Sequence, residues 1–483
     1  MTPTTFLPPG IAAGHPATAA VGLEALADGG TAADAAVAAS LASCAVEVVM
    51  TGLAGGGHAI WWDAGRGRAE HLDFFVAMPG LGGARPDAEV VELAVPFGSE
   101  IVHYAIGIAS CGVPGVVAGL DELWRRHGRL SWERLCAPAI ALARDGVALP
   151  PAHAACLAML APVMTMREGA EIFLREDGVL KDAGDELRQP GLARALEAVA
   201  GEGPGAFRPD GTLGRALLAL CDERNGLVTA DDLAAYRPVW REPAELAYAG
   251  TGILTREALT PLAPVLSSLP RLRGAPPARR VLALARALSG PDVVGSGHTT
   301  NLVTADAAGN VCVLTTSLGL GSGDFLPEFQ VHLNSMLGES DLLGARLEPG
   351  ERMASMMSPL VAFDAAGVAL AAGSAGGTRI RSALAQVTAG VLDEGLPPQD
   401  AVDRPRLHRV ERVVHVEPGF EPEALEALEG AGLTVTPWPA RHHYFGGVSL
   451  VSRAGGGADP RRSGAALALE AAAGAGPAGS QPR

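Results

Sequence analysis

The stretch HTTNLVTADAAGNVCVLTTSLG, residues 298–319, leaves the chain few choices locally. Asn301–Ala305 and Val311–Thr316 read as two strands around an Ala308-Gly309-Asn310 turn, which predicts a β-hairpin. The segment before it is rich in Gly, Pro and Ser and reads as a flexible linker. Thr299 and Thr300 therefore stand at the start of a strand, directly behind a segment flexible enough to be cut. A threonine that becomes the first residue of a chain can act as a nucleophile, with its own α-amino group as the base. That amine has a pKa near ~8, so much of it is neutral near neutral pH.

A second hairpin is expected from Pro359–Phe363 and Val368–Ala372 around DAAG. GSAGGTRIRSALAQVTAGVLDEG follows as a Gly-rich turn, a long helix and a C-capping Gly395. Gly376 and Gly377 precede that helix, so backbone N–H groups at its N-terminus point outward and offer a site for an oxyanion.

The first half is mainly helical. Thr31–Val49 is an Ala-rich helix with Thr31 and Asp34 as a capping box. Gly55–Gly57 break the chain before a buried strand at His58–Trp62. Residues 112–147 predict two helices joined at Gly128, and helix predominates up to about residue 240. A short helix precedes the linker within 274–296, and the tail after about Gly464 is expected to be disordered. Strands and helices are mixed throughout, giving an α+β chain without repeats of solenoid length.

Composition removes several function classes. The formal net charge is −16 and no basic stripe is present, so nucleic acid is not an expected partner. The six cysteines show no C-x-x-C pair and are expected as small, reduced, buried side chains. His442 and His443 are adjacent, and on a strand they would face opposite ways rather than share a metal. No apolar run is long enough to span a membrane, and the N-terminus carries no secretion signal, so a cytoplasmic location is expected. No cofactor is expected.

Taken in order, several segments carry a resemblance. They are DGGTAADAAVAASLASCAVEVVMTGLAGGGH, GVPGVVAGLDELWRRHGRL, APAIALARDGV, GLVTADDLAAYRPVWREP, HTTNLVTADAAGNVCVLTTSLGLGSG, SMMSPLVAFDAAG, GSAGGTRI, RPRLH and ADPRRSGAAL. Each string is weak, but their shared order resembles the γ-glutamyltranspeptidase family of N-terminal-nucleophile hydrolases over nearly the whole chain. The resemblance implies a four-layer αββα fold made as an inactive precursor that cuts itself between His298 and Thr299. Residues 1–298 would become the large subunit and 299–483 the small one, with 465–483 a disordered tail. A homodimer of such heterodimers is compatible with it. Thr299 would attack a carbonyl of a small-molecule substrate, and its freed amine would shuttle the proton. Gly376 and Gly377 would hold the oxyanion. Ser317 stands where the family has a second hydroxyl on the nucleophile, and Thr300 would orient the amine or the scissile bond.

The substrate pocket departs from the family's pattern. Phe75, in LDFFVAMPG, falls where family members place an Arg that grips the substrate's α-carboxylate. Gly319 replaces an Asn, and Ser355 with Met356 replaces a pair of serines. Met336 replaces the first polar group that would hold the α-amino group, leaving Glu339 or Asp341 as the second. Phe74, Phe75, Met336 and Met356 are expected to make an apolar pocket. The sequence therefore predicts a self-processing hydrolase or acyltransferase acting on a non-γ-glutamyl substrate. Two alternatives are a C–C bond-cleaving hydrolase, resembling the members that make 4-alkylproline antibiotic building blocks, and an unprocessed, non-catalytic homologue. His58 is expected as a packed strand residue and His298 as a linker residue. Asp459, Arg461 and Arg462 are expected in structural ion pairs.

Overall fold

The computed structural model describes residues 6–83, 88, 90–97, 100–259, 262–290, 298–339 and 347–470. The predicted hairpin is present and lies at the centre of the molecule. Its strands belong to a seven-stranded antiparallel sheet. In chain order these are β1 (Gly10–Ala13), β2 (Gly56–Asp63), β3 (Arg68–Phe74) and β4 (Val239–Arg241). After β5 (Ala244–Tyr248) and β6 (Thr251–Thr255), which join the other sheet, come the hairpin strands β7 (His298–Ala305) and β8 (Val311–Gly319). The second sheet continues with β9 (Leu360–Asp364), β10 (Gly367–Ala375), β11 (Gly447–Ser452) and β12 (Gly455–Ala458). Finally β13 (Ala465–Ala468) returns to the first sheet. The spatial orders are β13-β1-β7-β8-β2-β3-β4 and β12-β11-β10-β9-β6-β5.

Period-two alternation decides which side chains meet between the sheets. Ile60, Trp62, Val303, Val313, Val361, Ala371 and Val451 form an apolar layer between them. Their neighbours Ala59, Trp61, Leu302, Cys312 and Leu314 face the opposite way, into a helical layer. The second sheet does the same with Leu360, Ala362, Leu370 and Leu450 against the helix Arg379–Ala389. The packing order is helix, sheet, sheet, helix.

Helix α1 spans Pro16–Ala27 and α2 spans Ala32–Val46. Thr31 and Asp34 form the expected capping box at the start of α2. All fifteen residues of α2 are buried, which explains its alanines: neighbours press on every side, and small side chains permit close approach. The Asp34 carboxylate also accepts from the N–H groups of Arg129 and Leu130, tying the turn between the two following helices to the start of α2. Those helices, α3 (Val116–His127) and α4 (Trp132–Asp145), flank Gly128 as expected. From the hairpin turn, Asp306 accepts from the N–H of Ala32, so turn and helix fix each other.

Three expectations change. Ala465–Ala468, placed in the disordered tail, is an edge strand paired with Gly10–Ala13, because β1 offers it a free ladder. Residues 471–483 of that tail and 291–297 of the linker lie outside the described residues. His442 and His443 are not on a strand: a short helical turn at His443–Phe445 sets their rings 4.1 Å apart. Arg461 pairs with Glu417 and with Asp459 at 3.1 Å, and Arg406 joins Asp459 at 2.6 Å. Arg462 instead reaches sulfur atoms, Met50 Sδ at 3.3 Å and Cys156 Sγ at 3.9 Å. All six cysteines are buried and unbridged.

Candidate active site

Thr299 pairs with Ser317 across the β7–β8 ladder, immediately after a register shift between His298 and Thr299. The side chains of Thr299 and Asn301 face the gap between the sheets, where Asn301 packs on Gly373 of β10. Thr300 faces the other way, and its hydroxyl donates to the carboxylate of Glu47. The two threonines are thus separated onto opposite faces of one strand. His298 is the first residue of β7 and pairs with Gly319.

A narrow pocket opens at the inter-sheet end of Thr299. Its described lining comprises Thr299, Ser317, Phe75, Glu339, Ser355, Gly377, Ile380 and the methionines 336, 356 and 357. These residues come from five separate stretches of sequence. Ser317 Oγ accepts from the N–H of Gly319 at 2.9 Å. Gly377, with φ 57°, lies just before the helix Arg379–Ala389, and Gly376, with φ 122°, stands beside it against Gly446. Both need a conformation that glycine alone adopts easily. The N-cap of that helix, Thr378, makes no side-chain capping bond to the first turn, where N–H groups and the positive end of the helix dipole lie.

Gly319 does not line the pocket but shapes it. A Cβ there would sit 2.5 Å from Glu339 Oε1 and 2.8 Å from Ser335 Oγ, so the missing side chain makes room for the Glu339 carboxylate. Glu339 is the one charged side chain among the described lining residues. Asp341 lies outside the described residues.

Phe75 is held from behind. It stacks on His58 with centroids 5.5 Å apart, and its carbonyl accepts from Tyr236 Oη at 2.7 Å and Arg352 Nη1 at 2.5 Å. Burial pushes His58 well below its ordinary range, with the Arg256 charge adding to it, so His58 and His71 form a neutral pair 3.1 Å apart. Phe74 corrects an expectation. It packs under Gly119 of α3 in the helical layer and does not reach the pocket, since adjacent positions at the end of β3 point apart.

Several supporting residues carry no sequence signal. Arg256 Nη1 donates to the carbonyls of Ser355 and Met357, both at 3.0 Å, fixing the loop that carries Ser355 and Met356. Met357 and Ile380 complete the apolar wall. Among the described residues no cluster of His, Cys, Asp and Glu could hold a metal, and no helix is long and apolar enough to cross a membrane.

The sequence pattern of the Gamma-glutamyltranspeptidase family matches residues 18–269 and 278–469. The chain belongs to that family, whose members are N-terminal-nucleophile hydrolases and acyltransferases. Acylase ACY 1 proenzyme of Pseudomonas sp. (strain V22) is 26% identical, over 91% of this chain and 88% of that protein. Glutathione hydrolase proenzyme of Bacillus subtilis (strain 168) is 26% identical, over 95% of this chain and 91% of that protein. The structure of cephalosporin acylase from Bacillus halodurans shares the fold, with a TM-score of 0.79, 22% identity and 97% of each chain covered.

Proposed function

We propose that the chain is the precursor of a two-subunit αββα hydrolase or acyltransferase that cuts itself between His298 and Thr299. Residues 1–298 form the large subunit and 299–483 the small one. Thr299 Oγ attacks the acyl donor while its freed amine takes the proton. Gly376, Gly377 and the N-terminus of the following helix stabilise the oxyanion. The Ser317 hydroxyl orients Thr299, and water or an amine resolves the acyl-enzyme. Proteins named as proenzymes among the relatives support the processing step.

The acyl donor is compact and largely apolar, and its acyl chain carries no free carboxylate. One observation carries this reading: Phe75 and three methionines wall the pocket, and no cation is among its described residues. A carboxylate buried without a cationic partner is strongly disfavoured. Glu339 accepts a donor group, such as an amine, on the substrate.

Steady-state kinetics on three donors test this: a γ-glutamyl anilide, an anilide with an apolar acyl group, and a ketone of similar shape. The apolar anilide is expected to give a kcat/KM at least ~100-fold above the γ-glutamyl one, from the loss of charge-assisted bonds worth about 1.5–3 kcal/mol each. Equal or better turnover of the γ-glutamyl anilide overturns the assignment. Cleavage of the ketone alone moves it to C–C bond hydrolysis.

A further inference from the structure

Self-cleavage poses a problem that later turnover does not. In the precursor the nitrogen of Thr299 is an amide, so it cannot be the base that activates its own hydroxyl. Another group must take that proton.

Behind Thr299, away from the substrate pocket, lies a second, narrow cavity. It is lined by Thr299, Thr300, Gly14, Glu47, His153 and Arg462, among others, and has room for about one water. Two buried atoms there, His153 Nδ1 and Arg462 Nε, have no hydrogen-bond partner among the described residues, as expected of a hydrated site. Glu47 caps the C-terminus of α2 and is 1% exposed. Its carboxylate accepts from Thr18 Oγ1 at 2.7 Å and from Thr300. Gly14 is needed for this approach, since a Cβ there would lie 2.7 Å from Glu47 Oε2 and 2.9 Å from Thr300 Oγ1.

The other titratable groups of the cavity are poor bases at neutral pH. Burial drives His153 down to about 4, and its Nε2 faces the carbonyls of Gly14 and Arg462. Its neighbour His15, in edge contact at 5.3 Å, is driven to about 3 by burial and by His153. Asp459 is occupied by Arg406 and Arg461, whose charges hold it low against the upward pull of burial. Glu47 differs: burial lifts it to about 7, with the Thr300 and Thr18 bonds and the Arg462 charge pulling the other way. Cys44, one turn back on α2, is raised to about 12 by burial and by Glu47, so it stays neutral.

We propose that Glu47, acting through the hydroxyl of Thr300, accepts the proton released when Thr299 cuts the chain. This rests on the reading that the chain cuts itself before Thr299. Thr299 Oγ adds to the His298 carbonyl carbon, and its proton passes by way of a cavity water to Thr300 Oγ as the Thr300 proton moves to Glu47. The C–N bond then breaks, and the proton returns along the same path to the Thr299 nitrogen. An ester joins His298 to Thr299 Oγ until water hydrolyses it to the His298 carboxyl group and the free Thr299 hydroxyl. Glu47 is a positioning and relay residue of processing, while Thr299 and the glycines act on substrate.

Precursor made in a cell-free reaction and shifted to a series of pH values tests the relay by its rate of disappearance on a denaturing gel. The wild-type rate should rise through a transition near pH 7, where Glu47 ionises. Glu47→Gln should slow cleavage at pH 8 by about 100-fold and remove that transition. Thr300→Val should do the same with Glu47 intact, and Thr300→Ser should restore both rate and profile. The double variant should be no slower than either single one. Glu47→Gln that elutes as folded protein and cleaves with the wild-type rate and pH profile overturns the relay. If Glu47→Gln does not fold, equal cleavage by Thr300→Val and Thr300→Ser overturns it instead. A wild-type chain that stays uncut removes both this inference and the reading beneath it, whereas a wild type that cuts alongside an unaffected Glu47→Gln removes the inference alone.

Discussion

Thr299 and Ser317 stand directly opposite one another on β7 and β8, one residue beyond the register shift at His298. Opposed residues in an antiparallel pair share a face, with Cβ atoms about 4.5–5.5 Å apart. Ser317→Ala keeps the ladder and removes the hydroxyl. Loss of one hydrogen bond worth about 1–1.5 kcal/mol predicts a roughly 10-fold fall in kcat with little change in KM. Ser317→Thr should retain activity. Single-turnover kinetics on the processed enzyme separate these outcomes.

On the proposed reading, Phe75 is the position at which substrate charge is decided. Phe75→Arg places a guanidinium against the pocket, within reach of a donor's carboxylate. The ratio of kcat/KM for γ-glutamyl over apolar anilide should rise about 10- to 100-fold, the worth of one charge-assisted pair. An unchanged ratio in a folded variant would show that Phe75 does not set specificity.

Gly319 and Gly377 should fail in different ways. At Gly319, φ is +70° and an added Cβ meets Glu339, so Gly319→Ala displaces the carboxylate and should raise KM more than it lowers kcat. At Gly377, φ is +57°, and Gly377→Ala disturbs the turn before the helix. There kcat should fall about 10²–10³-fold, the usual effect of losing one oxyanion donor.

Glu47 also links stability to pH. Its carboxyl is raised from 4.5 to about 7 in the fold, so the native state holds the proton more tightly than the unfolded chain. Its contribution is full below about pH 4.5 and is lost as pH rises through 7, a change of about 3 kcal/mol. The lowered histidines 15 and 153 act with the opposite sign, so the difference between wild type and Glu47→Gln isolates the effect. Urea unfolding of a Thr299→Ala background at pH 5 and pH 8 measures it. Wild-type Glu47 should lose stability over that interval relative to Gln, and parallel curves would contradict the shift.

Local features were legible in the sequence because short-range chemistry determines them. The Thr31–Asp34 box, the hairpin turn at 306–310 and the C-capping Gly395 all fall where residue type alone places them. The pocket's composition was legible too, since most of its lining follows from aligned motif positions. Its support was not. Arg256 and Arg352 hold backbone carbonyls about 100 and 277 positions away in the chain, and no local pattern announces such a bond. Phe74 and Phe75 looked equivalent, yet the end of a strand sends them to different layers. Glu47 reads as one more residue at the end of an Ala-rich helix until β7 brings Thr300 to it.

The most direct measurement is the intact mass of the purified, active protein, before and after reaction with an acyl donor trapped at the acyl-enzyme stage. Two fragments are expected, the smaller beginning at Thr299, with peptide mapping locating the acyl group on that residue. An active preparation consisting of a single 49.2 kDa chain, or an acyl group on any other residue, would contradict the central claim.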